Sequence, residues 1–223
     1  DITLENASND IQGNIILTAA NVSIKNTGST LLGASTLSGN YTIITTGAVI
    51  DNGDLDIEGY TSITVTDPDL RIELNRATND FTGAVSVVAD DVTLVDANDI
   101  VLGTSDVSGT YDVTATAGGD ITDADGNVLD ITGNATFTAA AGQQVILDSN
   151  NTFEGTVTFD TPSGSLKNVT ITDTTELDLT ALTLAQVSSA GGNLIVTAGK
   201  ALTDTGPLII PGTTTITATG QTV

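Results

Sequence analysis

The 223-residue sequence contains no cysteine, no histidine, no methionine and no tryptophan. Without cysteine there is neither a disulfide framework nor a thiolate zinc cluster. Without histidine there is no Ser-His-Asp or Cys-His nucleophilic site. Basic residues are scarce: Lys25, Arg71, Arg76, Lys167 and Lys200 stand against 28 acidic residues, for a net charge of −23. Binding phosphate takes clustered Lys and Arg, so nucleic acid is excluded as a partner, and anionic lipid surfaces with it. No apolar run approaches membrane-spanning length, the longest aliphatic stretch being Pro-Leu-Ile-Ile-Pro at 207–211, so no membrane insertion is expected. The chain begins at Asp1 without a signal peptide, which reads as a processed or internal piece of a longer polypeptide.

What the sequence does have is threonine, 41 residues of it, together with abundant Val and Ile. These β-branched residues favour pleated strand over helix, and charged helical faces are missing. The text also repeats. Residues 2–13, ITLENASNDIQG, match 72–83, IELNRATNDFTG, at an offset of 70, and 31–41, LLGASTLSGNY, match 101–111, VLGTSDVSGTY, at the same offset. A third copy opens with VILDSNNTFEG at 145–155. We divide the chain into three copies, 1–70, 71–143 and 144–223, forming a single continuous domain. Within a copy, short apolar-x-apolar triplets such as Ile2–Leu4, Ile15–Leu17, Val22–Ile24, Leu55–Ile57 and Ile63–Val65 alternate in the strand period, and Gly, Asn, Asp and Ser separate them.

This pattern predicts an all-β right-handed parallel β-helix, a β-solenoid, with about three strands per coil. A coil of roughly 20–25 residues gives about three coils per copy, about nine in all, and a rod of about 45 Å. Stacking of like aliphatic residues from coil to coil explains the monotony of the text. The alternative is a tandem pair of β-sandwich domains, since strand spacing fits that too. Against it stand the short 70-residue period and the shortage of aromatic residues for a sandwich core.

Four motifs recur in order: Asn79-Asp80-Phe81-Thr82-Gly83, Val92-Thr93-Leu94-Val95-Asp96, Ile100-Val101-Leu102-Gly103, and Gly192-Asn193-Leu194-Ile195-Val196-Thr197-Ala198-Gly199. In this order they resemble the repeat region of filamentous-haemagglutinin-like bacterial exoproteins of the two-partner-secretion and autotransporter kind. The third copy departs from the pattern, with Asn151-Thr152 in place of Asn-Asp and an insertion at 161–168. The resemblance implies a β-helix, localisation outside the bacterium as a secreted or cell-surface protein, a stalk or adhesive role, and no enzyme activity.

Candidate sites are few. Asp123, Asp125 and Asn127 alternate like the start of a calcium loop around Gly126, but the bidentate Glu that would complete one is missing, Glu154 being the next. We therefore read this stretch as an ordinary polar corner, and 51–56, DNGDLD, likewise. Thr-x-Thr patterns such as 213–220, TTTITATG, resemble the ranks of ice-binding solenoids, yet the threonines are spread over many strands. Asn-x-Ser/Thr sequons at Asn6, Asn21, Asn40, Asn134, Asn150 and Asn168 follow from composition. No catalytic, cofactor-binding or metal site is assigned and no cofactor is expected. The expected function is that of a rod segment of a secreted fibre or adhesin. Its expected partners are the same polypeptide continued, a second copy stacked head to tail, or a host or cell-surface glycan or protein on a side face.

Overall fold

The computed structural model describes residues 1–187 and 190–220. Among these, every regular element is a strand. All strand pairings are parallel except that of Gln186–Val187 with Ala190–Gly191. Tandem sandwiches are built from antiparallel sheets, so the structure excludes that alternative. The chain is a β-solenoid.

One coil shows how the sequence makes it. Val22–Asn26 is a five-residue strand that alternates buried and half-buried residues. Thr30–Leu32 and Ser35–Leu37 follow, separated by Gly33 and Ala34. The next coil repeats the course: Tyr41–Thr45 lies on Val22–Asn26, Val49–Asp51 on Thr30–Leu32, and Leu55–Ile57 on Ser35–Leu37. Paired residues in neighbouring coils are between 17 residues apart, as in Val85 with Leu102, and 26, as in Leu182 with Leu208. One long face runs from Ile2–Leu4 to Thr214–Ala218 through eleven levels, which makes ten turns, and a second runs from Asn14–Ile15 to Leu202–Asp204. A third, narrow face is confined to the first four coils and ends at Asp80–Phe81. At ~4.8 Å per coil the ten turns span ~48 Å.

The turns do not fall as the sequence period led us to expect. The longer strands of the first copy, Val22–Asn26, Tyr41–Thr45 and Thr61–Val65, lie on the first long face. Their counterparts 70 to 74 residues on, Val92–Asp96, Tyr111–Ala115 and Ala135–Ala139, lie on the second. In the third copy Asn168–Asp173, Asn193–Ala198 and Thr214–Ala218 return to the first. The first and second copies thus each make three and a half turns rather than three, and successive copies are rotated by half a turn. The half-turn falls at the junction between copies: Thr61–Val65 closes the first copy on the first face, and Ile72–Leu74, the counterpart of Ile2–Leu4, opens the second copy on the second face. The extra half-turn shifts everything after it to the opposite face.

Inside, like residues stack. Ile24, Ile43, Ile63 and Val87 are in register through four coils, and each is at most 1 % exposed. The second half has an aromatic core that the low aromatic content does not announce. Phe137 meets Tyr111 and Phe153 edge-on, with ring centroids 6.1 Å apart, and stacks on Phe159 at 6.0 Å. Edge-on and offset contacts at this range are favourable beyond area burial.

Corners are closed by glycine ladders. Gly39, Gly59 and Gly83 lie over one another at one corner, and Gly109, Gly133 and Gly155 do the same farther along the chain. A Cβ on Gly59 would overlap the backbone of Gly39, and one on Gly133 the carbonyl of Gly109. Close approach of one coil to the next, rather than a special φ, fixes glycine here.

Candidate functional site

The residues singled out as a calcium-loop start are not brought together. Asp123 turns inward: Oδ1 accepts from the Asp148 N–H (3.0 Å), and Oδ2 from the Ser149 N–H (3.1 Å) and the Asn151 Nδ2 (2.8 Å). Asp125 is exposed at the tip, beside Gly126 at φ 75°. The Asn127 Oδ1 accepts from the Thr104 hydroxyl (2.8 Å). The same inward corner recurs in the first copy, where the Asp51 Oδ2 accepts from the Arg76 N–H (3.1 Å) and the Asn79 Nδ2 (2.7 Å). Asn79 and Asn151 in turn accept from the Leu55 and Leu129 N–H groups. These Asp–Asn pairs tie one coil to the next. Among the described residues no group of three or more His, Cys, Asp or Glu is placed to hold a metal ion.

A second inward position recurs as Asn26, Asp96 and Asp173. The Asn26 Oδ1 accepts from the Ile11 N–H (2.7 Å). The Asp96 carboxylate accepts from the Phe81 N–H (2.8 Å) and the Asn98 N–H (2.7 Å). Burial pushes the Asp96 carboxyl up to about 6; the charges of Asp80 and Asp99 add to the shift, while the two N–H groups oppose it. Asp173 is raised for the same reason, burial outweighing its bonds to Thr175 and Phe153. The sequence marks these positions only as polar corner residues. Their recurrence at equivalent places in the copies is the signal that could have shown them to be interior.

The outer surface is built from ranks. Thr3, Ser23, Thr42, Ser62 and Ser86 stand in register on the first face through five coils, as do Thr172, Thr197 and Thr217 near its other end. The threonines that looked scattered in the sequence therefore form short lines. Beside the first rank runs a ladder of side-chain acceptors. The Asp1 Oδ1 accepts from the Asn21 N–H, the Asn21 Oδ1 from the Asn40 N–H, and the Asn40 Oδ1 from the Tyr60 N–H, at 2.9 to 3.2 Å. Two of the sequon asparagines are thus corner braces. Asn134 and Asn168 brace the Thr156 and Asn193 N–H groups in the same way.

Rank and ladder together border an open groove of about 410 Å³ between Asp1 and Tyr60. A second groove, of about 460 Å³, lies farther along the first face between Pro68, Val88 and Asp106.

A family model described as Repeats of unknown function (DUF5649) matches residues 19–88, 89–160 and 166–223. The chain belongs to the DUF5649 family. Comparison with curated proteins and with solved structures gave no match. The DUF5649 matches begin farther along the chain than the division 1–70, 71–143 and 144–223. Their first boundary, 88/89, falls at the end of Val85–Ala89, where the longer strands are about to change face. The first two DUF5649 matches are therefore each one three-and-a-half-turn block of the solenoid. No helix among the described residues is long and apolar enough to cross a membrane.

Proposed function

We propose that this chain is a non-enzymatic rod segment of a secreted or surface-attached bacterial fibre or adhesin. The observation that supports it best is the first face, a parallel ladder from Ile2–Leu4 to Thr214–Ala218 over ten turns. In such a ladder chain length becomes reach, because every coil adds ~4.8 Å along one axis. Stability is shared between neighbouring coils, so a rod of this kind needs no disulfides. Further repeats of the same polypeptide, or a second copy stacked head to tail, would extend the ladder. The bacterial and extracellular parts of the reading rest on the resemblance of the repeat motifs to exported haemagglutinin-like proteins.

Adding DUF5649 repeats tests the mechanical part. Each extra copy of residues 89–160 should lengthen the particle by ~17 Å, three and a half coils at ~4.8 Å, as read by small-angle scattering. A particle that thickens or gains a separate lobe instead would refute the rod. Surface proteolysis of intact cells of the bacterium that encodes the chain tests export. The account expects cleavage, and full protection would refute it.

A further inference from the structure

We propose that the groove around Tyr60 is a binding site for a neutral oligosaccharide. Of the seven aromatic residues in the chain, Tyr41, Tyr111, Phe81, Phe137, Phe153 and Phe159 are buried, and Tyr60 alone is exposed, at 49 %. Its position follows from the pleat: Thr61 is the first inward residue of Thr61–Val65, so the residue before it sits on the outer corner. The Asn40 Oδ1 holds the Tyr60 N–H (3.2 Å), which fixes the point from which the ring projects.

Around that ring the groove offers what a sugar needs. A pyranose has an apolar C–H face and a rim of hydroxyls. Tyrosine supplies a rigid apolar surface with a polar tip. The Asn40, Thr3 and Thr42 side chains line the same groove, and among the described residues the Asn40 Nδ2 and the two hydroxyls donate no hydrogen bond. Asp1 and Glu5 add carboxylate oxygens that accept from paired hydroxyls, with Glu5 already receiving the Ser23 hydroxyl (2.7 Å). The volume of about 410 Å³ is within the usual range for ligand sites. No Lys or Arg lines the groove among the described residues, and two carboxylates do. Uronic acids, sialic acids, sulfated glycans and phosphates are therefore repelled.

The half-turn between copies supplies an internal control. The equivalent surface of the second copy lies on the opposite face, and there Tyr60 is replaced by Asn134, Asn40 by Thr110 and Thr42 by Asp112. That surface has hydroxyls and carboxylates but no ring, so it should not bind. The rod reading stands or falls separately, since a rod is a rod with or without a sugar on its side.

The experiment is saturation-transfer NMR on the whole chain with neutral tri- and tetrasaccharides of glucose, galactose, mannose and N-acetylhexosamines, run beside oligogalacturonate and a sulfated glycan. The expected result is saturable binding of at least one neutral oligosaccharide and none of the anionic ones. Tyr60→Ala should weaken it about tenfold or more, and Thr42→Val, which keeps the shape, about three- to tenfold. Both variants should melt at the wild-type temperature, and Asn134→Ala should leave binding unchanged. The proposal is overturned by silence across the neutral panel, by preference for the anionic probes, or by binding that survives Tyr60→Ala. If Tyr60→Ala does not fold, Tyr60→Ser and Thr42→Val decide on the same criteria.

Discussion

The most exacting prediction concerns Asp96. Its side chain is fully buried, and burial raises its carboxyl from the ordinary aspartate value of 3.8 to about 6. Between these two values the folded chain holds a proton that the unfolded chain has released. Stability therefore falls as pH rises from about 4 to about 6, and this contribution is level above that. A shift of about two units at ~1.36 kcal/mol each sets an upper bound of about 3 kcal/mol on the loss. Part of that change lies below pH 4 and above pH 6, which leaves about 2 kcal/mol between them. The first copy carries the neutral form of the same position, Asn26, so Asp96→Asn replaces one repeat's solution with another's. The Asn98 N–H would lose its acceptor in that variant, at about 1 kcal/mol. At neutral pH the variant should come out ahead by about 1 kcal/mol, and the diagnostic quantity is the slope. Urea unfolding of wild type and Asp96→Asn from pH 4 to 8 reads it directly. The net charge of the chain gives both proteins a common background, so only their difference counts. The account expects that difference to change by about 2 kcal/mol across pH 4 to 6. Parallel curves would show that Asp96 is ionised in the folded state at ordinary acidity, and would refute the reasoning from burial.

Three further outcomes follow from the packing. Gly133→Ala would drive a Cβ into the Gly109 carbonyl and should cost more than about 2 kcal/mol in thermal or urea unfolding, whereas Gly126→Ala, with open space around it, should cost only about 1 kcal/mol for its positive φ. Phe137→Ala removes the ring at the centre of the aromatic cluster and should cost about 3–5 kcal/mol in the same assay. The Tyr41 hydroxyl is buried with no hydrogen-bond partner among the described residues, so Tyr41→Phe should be neutral or stabilising by about 1 kcal/mol, read as a rise in melting temperature.

The fold class was legible because triplets such as Val22–Ile24 and Ile63–Val65 show the strand period and the copies align by eye. The half-turn was not. Thr30–Leu32 and Ser35–Leu37 read as two separate strands of a coil, and nothing in their residues says how much of a turn they share. The stretch between Thr61–Val65 and Ile72–Leu74 looks like any other connection, yet it carries the half-turn that sets the phase of the second copy. The inward acids were hidden for another reason. Asp51, Asp96 and Asp123 sit beside Asn, Gly and Ala, a context shared with exposed corners, and their N–H partners come from a neighbouring coil 15 to 26 residues away. Tyr60 differs from buried Tyr41 and Tyr111 only by one step of the pleat, which composition does not reveal and register does.

The claim that successive repeats are turned by half a circle is open to one direct measurement. The chain has no cysteine, so engineered pairs report without background. Glu73 and Thr93 are paired in register on the second face, and neighbouring strands lie within disulfide reach. Glu73→Cys with Thr93→Cys should therefore cross-link under mild oxidation, while Ser62→Cys with Thr93→Cys, whose positions lie on opposite faces, should stay reduced. A whole number of turns per repeat would stack Val92–Asp96 on Thr61–Val65 and reverse the two results.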